Sequence, residues 1–126
     1  MIPRTGVHRT RLSTPAAATA AQFAADGWTT WLVDGGDGRT KTELLAAIAE
    51  AGDFPEWFGG NWDALVDQLR DAAPPEGPGV CLLIDRSDLL GAGLAILSDI
   101  VGDLVAEGAR LALILRGRQP PFRSVP

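Results

Sequence analysis

Three carboxylates spaced four residues apart, Asp63, Asp67 and Asp71, are the residues of this chain most suited to chemistry at a surface. They follow Phe54-Pro55-Glu56-Trp57-Phe58-Gly59-Gly60-Asn61-Trp62, an aromatic segment with two glycines that runs into a helix start. Residues four apart share a helix face, so the carboxylates form one stripe, and each like-charged pair costs a few tenths of a kcal/mol. An uncompensated acidic row beside an aromatic loop suits a surface that meets something cationic. A purely local account also exists. Asn61 is a good N-cap, Asp63 suits the helix dipole, and Asp67, Arg70 and Asp71 make a solvated face opposite Trp62, Leu65, Val66 and Leu69. That account leaves Trp57 and Phe58 beside Gly59 and Gly60 unexplained, and tryptophan is enriched at the energetic centres of interfaces.

Catalysis finds little support in the same residues. His8 is the only histidine and falls in a stretch expected to be a tail, so no Ser–His or Cys–His nucleophile system is formed. Cys81 lies within Val80-Cys81-Leu82-Leu83-Ile84 and reads as a small buried apolar residue. A single cysteine excludes an internal disulfide and fits a reducing compartment, and one histidine with one cysteine does not assemble the usual zinc site. Gly36-Asp37-Gly38 follows a strand and precedes a helix, but Lys41 stands where a dinucleotide loop has its third glycine, so it reads as a plain strand-to-helix turn. Asp63 and Asp67, one helical turn apart, do not flank a glycosidic bond from two sides. No enzyme activity, metal or cofactor is expected.

Charge narrows the partners. The net charge is −5, yet residues 1–27 carry +2 and residues 116–126 carry +3, which leaves −10 for the body between them. An acidic body repels nucleic acid and steers basic proteins toward itself. No apolar run approaches the length of a membrane span.

The elements that position the acidic row are strands alternating with helices. A basic, disordered N-terminal tail is expected first, then a short Ala-rich helix with Thr14 as N-cap, Pro15 as its first residue and Gly27 as its stop. The Ala-rich run is too weakly apolar for a secretory signal. Residues 28–34 are β-rich. Thr40-Lys41-Thr42-Glu43 is a capping box opening a helix over 41–51 stopped by Gly52, with Leu44, Leu45 and Ile48 on one face. A helix over 61–72 is ended by Pro74-Pro75. Val80–Asp85 and residues 110–115 are continuous apolar strands, and residues 94–107 form a helix stopped by Gly108. Strands of this kind joined by helices are parallel and covered. The expectation is a single small α/β domain, a three-stranded parallel sheet packed against helices. Residues 1–27 are a partly helical or disordered extension, 28–116 the domain and 117–126 a tail.

The segment over residues 54–71 resembles the signature of the barstar family, small intracellular inhibitors of extracellular ribonucleases of the barnase type. The pattern is carried by Phe54, Pro55, Glu56, Trp57, Phe58, Gly59, Asn61, Trp62, Asp63, Ala64, Leu65 and Asp67. The order of elements from Trp31 to Leu115 fits as well. The resemblance implies the three-stranded α/β fold and inhibition by occlusion, with acidic groups standing in for substrate phosphate. It implies that Asp67 is the principal phosphate mimic, that Asp63 caps a guanine-binding loop and that Trp57 stacks on a catalytic histidine. Gly59 and Asn61 shape the loop, and Asp103 is a further carboxylate meeting an arginine. Phe58, Gly60, Ala64 and Asp71 complete the expected partner surface. Departures from the family pattern are Gly60 for an acidic residue, Val66 for a tryptophan, Asp71 for a small residue and a short segment over 86–93. The functional expectation is a cytoplasmic protein, monomeric when free, that binds a basic extracellular-type ribonuclease one to one and neither nucleic acid nor membrane. The alternative is a barstar-like domain that binds another basic protein without inhibiting a ribonuclease.

Overall fold

The computed structural model describes residues 5–10, 14–55 and 59–117. In chain order the elements are β1 (Gly6–Thr10), α1 (Ala16–Ala25), β2 (Thr29–Asp34), α2 (Lys41–Ala51), α3 (Trp62–Arg70), β3 (Val80–Asp85), α4 (Gly93–Ala106) and β4 (Leu111–Arg116). Short 3₁₀ turns over Gly35–Asp37 and Ser87–Leu89 follow β2 and β3. The second lies in the segment that is too short for a separate helix. The strands form one sheet in the order β1-β4-β3-β2, and every pairing is parallel.

The sheet therefore has four strands, not three. The fourth comes from residues expected as a disordered tail: Gly6 pairs with Ala112 and Thr10 with Arg116 along the free edge of β4. Gly6-Val7-His8-Arg9-Thr10 has neither a continuous apolar run nor an apolar alternation. Its strand character comes from the β4 backbone groups that it satisfies. The start of α1 also differs from expectation. Thr14 does not cap it; its hydroxyl lies 3.3 Å from that of Thr19, and Pro15 flanks the first turn with no side-chain cap.

The two central strands are continuous apolar runs because both of their faces are covered. On one face Val33, Leu82, Ile84, Leu113 and Leu115 meet the inward residues of α2, α3 and α4, chiefly Leu44, Leu45, Ile48, Leu65, Leu69, Leu97, Val101 and Leu104. On the other, Cys81, Leu83, Ala112 and Ile114 pack with Trp28 beneath Ala20 and Phe23 of α1. Cys81 is fully buried, and burial pushes its thiol up to about 12, as suits a small core residue.

Two helix boundaries fix the approach to the acidic segment. Thr40 Oγ1 accepts the Glu43 N–H at 3.1 Å, which is half of the expected capping box. At the other end of α2, Asp53 rather than Gly52 takes the left-handed conformation, with φ of 53°. The Phe54 N–H reaches back to the Ala49 carbonyl at 2.9 Å, and the Asp53 N–H to that of Glu50 at 3.2 Å. Gly52 serves close approach instead: a Cβ there would stand 2.6 Å from the Phe54 ring. Phe54 in turn meets Trp31 edge to face, with centroids 5.5 Å apart, so the chain entering the aromatic segment is pinned to the core.

Candidate functional site

The acidic face begins at the turn into α3. Gly60 has φ of 68°, a conformation costly for a residue with a Cβ. Nothing lies within 4 Å of where that Cβ would be, so backbone freedom and not space accounts for the glycine. Asn61 Oδ1 then accepts the Ala64 N–H at 2.8 Å, satisfying one of the orphan amides of the first turn. Asp63 sits in that turn, where the helix dipole favours a carboxylate.

α3 divides sharply. Leu65 and Leu69 are buried, Trp62 and Val66 are half-buried against the core, and Asn61, Asp63, Asp67, Arg70 and Asp71 are exposed. Trp62 and Leu69 mark the ends of the apolar stripe, and the carboxylates at 63, 67 and 71 occupy the opposite side. The side chain of Asp67 is 77% exposed, so its charge stands in water in the free protein.

The row is not uncompensated. One Arg70 nitrogen lies 3.6 Å from Asp67 Oδ1, and another is 3.3 Å from Glu107 Oε1 at the end of α4. Arg70 thus joins the α3 row to α4, where Asp103 lies exposed one turn before Glu107. Arg70 and Glu107 are the partners that sequence spacing missed. They are 37 residues apart, so only the packing of α4 beside α3 brings them together. Gly59 and Ala64 flank the cap, Gly59 exposed and Ala64 half-buried. Trp57 and Phe58, the aromatic part of the expected surface, lie outside the described residues.

A second charged pair sits at the carboxyl ends of β2 and β3. Arg86 donates to both oxygens of Asp34, at 2.8 and 2.7 Å, and the Gly36 N–H adds a third hydrogen bond at 2.9 Å. The arginine first, and then the amide, hold the Asp34 carboxyl below its ordinary value of 3.8. Farther along the same edge the buried Arg116 faces Asp85 at 3.5 Å and donates to the Thr14 carbonyl, fastening the entry to α1. Among the described residues, no group of histidines, cysteines and carboxylates is placed to hold a metal, and no helix is long and apolar enough to cross a membrane.

The described residues thus form a small parallel α/β sheet with an acidic helix face at one side. The family model Barstar (barnase inhibitor) matches residues 28–120, most of the chain. This chain belongs to the barstar family, a family of inhibitors of barnase-type ribonucleases and not of enzymes. No protein in the curated collections matches it. The match begins at Trp28, so β1 and α1 lie outside it.

Proposed function

We propose that this protein inhibits a basic, barnase-type ribonuclease by seating α3 and the aromatic segment before it in the nuclease active site, one molecule to one, in the cytoplasm of the cell that makes both. The observation that carries the reading is the outward row Asp63, Asp67 and Asp71, held rigidly by the Asn61 cap and by Leu65 and Leu69 on the other side of the helix. Asp67 stands at the middle of the row, where a partner can exclude water around it. The Arg70 contact does not block this role. An exposed pair at 3.6 Å between neighbours on one helix contributes only a few tenths of a kcal/mol, far less than a desolvated arginine–carboxylate pair across an interface. Asp103 and Asp71 would then lie toward the rim, where charge acts on association rate and its salt dependence.

The test is a titration of the purified protein into a barnase-type ribonuclease cleaving a fluorogenic RNA, with calorimetry in parallel. The expected result is loss of turnover that is complete at one equivalent. Binding by calorimetry with turnover unchanged would point instead to an interaction domain that has lost inhibition, and absence of binding would remove the reading.

A further inference from the structure

The two edges of the sheet are treated differently. The β1 edge carries the exposed Arg9, a device that discourages a further strand. The β2 edge, Thr29-Thr30-Trp31-Leu32-Val33-Asp34, has no lysine, arginine or proline and pairs only with β3. Leu32 on it is 41% exposed, among the most exposed large apolar side chains described. Beside this edge runs a groove of about 490 Å³ between Leu32, Val33 and Asp34 of β2 and one stripe of α2.

That stripe is Glu43, Ala46, Ala47 and Glu50, spaced as neighbours on a single helix face. The alanines leave room above the strand edge, and the glutamates stand at either end, about 10 Å apart along the helix. Asp37 lies at the mouth. No lysine or arginine lines the groove; Arg39 and Lys41 precede it. Asp34 is already engaged by Arg86, but among the described residues Asp37, Glu43 and Glu50 form no salt bridge.

We propose that the β2 edge takes an extended, basic segment of a partner protein as an added strand, its backbone pairing with β2 and its cationic side chains meeting Asp37, Glu43 and Glu50. Strand addition supplies affinity through main-chain hydrogen bonds, and the groove sets which side chains are accepted. A second copy of this chain docking edge to edge through β2 is disfavoured, because it brings two acidic grooves together. The surface comprises β2 and α2, not the α3 row, so the inference does not depend on ribonuclease inhibition.

The experiment titrates the isotope-labelled full-length protein with a ten-residue peptide alternating lysine and valine, and with a matched glutamate–valine peptide, at physiological salt. The lysine peptide should shift the amide resonances of Leu32, Val33 and Gly36 and leave those of α3 in place; the glutamate peptide should shift neither set. The double variant Glu43→Gln/Glu50→Gln should weaken the lysine peptide at least tenfold with its thermal melt retained. Asp67→Ala should bind the peptide as wild type does. The proposal is overturned by shifts confined to α3, by equal binding of the two peptides, by no shift up to millimolar peptide, or by sedimentation showing that the β2 edge is occupied by a second copy.

Discussion

α1 and α3 are nearly equal in length, ten and nine residues, and do opposite things with it. α3 commits two leucines wholly to the core and leaves Asp63 and Asp67 in water, with Asp71 exposed at its C-cap. α1, Ala-Ala-Ala-Thr-Ala-Ala-Gln-Phe-Ala-Ala, has no charged residue and none that is fully buried; Phe23 and Ala20 rest partly covered on the second face of the sheet. A helix divided this sharply can change its outward residues without touching its anchor, so recognition and stability are separable on α3. An undivided alanine helix is a lid: it closes a hydrophobic face and has little to offer a partner.

The strongest way to break that contrast is a pair of substitutions on α3 itself. Leu65→Ala removes a fully buried side chain from the main core and should lower unfolding free energy by about 2–5 kcal/mol, read by urea denaturation. Asp67→Ala should leave the denaturation midpoint unchanged, since the lost Arg70 contact and the relieved repulsion from Asp63 and Asp71 are both a few tenths of a kcal/mol and opposite in sign. It should weaken binding to the target ribonuclease by about 2–5 kcal/mol, mostly in dissociation rate, a range to which complexes of this family themselves contribute. If Asp67→Ala unfolds the protein, or binds within about threefold of wild type, the two sides of α3 are not divided as described.

Phe23→Ala carries the contrast to α1. The ring is half-buried, so the loss should be about 1–2 kcal/mol, below the 3–5 kcal/mol of a fully buried phenylalanine. Ribonuclease binding should be unaltered once the variant is folded. A loss as large as that of Leu65→Ala would mean that the second face contributes as much as the first.

The same contrast explains what could be read from the chain alone. The apolar runs over Val80–Asp85 and Leu111–Arg116, the Asn61 cap and the stop at Gly108 are local signals, and each marks its element to within a residue or two. Membership of the barstar family was legible because residues 54–71 concentrate unusual residue types at fixed spacing. β1 was not legible, because Gly6–Thr10 becomes a strand only by pairing with β4, about a hundred residues away. Asp53 was overlooked as the left-handed residue after α2 because Gly52 beside it is the commoner choice, and the need for Gly52 comes from the Phe54 ring folding back. Arg70 meeting Glu107, and Arg86 meeting Asp34, depend on packing between distant segments that no periodicity encodes.

The smallest effect expected is at the Asp34–Arg86 pair, which belongs to neither helix and joins the ends of β2 and β3. Asp34 is held below its ordinary 3.8 in the folded protein, first by Arg86 and then by the Gly36 amide. A carboxylate depressed by folding adds stability that is fully present above its unfolded value and is lost as pH falls through its folded value. The contribution should thus be constant near neutrality and fall away progressively as pH drops below about 4. Both side chains are about half exposed, which limits it to at most about 1 kcal/mol. Arg86→Met should therefore reduce the difference in unfolding free energy between about pH 6 and pH 3 without abolishing it, because the Gly36 N–H still favours the ionised form. Asp34→Asn keeps an acceptor for that amide but cannot titrate, so it should remove the whole Asp34 share of the slope. Equal slopes for wild type, Arg86→Met and Asp34→Asn, measured by urea unfolding at both pH values, would show that the acid sensitivity of this protein lies in carboxylates elsewhere and that the bidentate pair is only a surface contact.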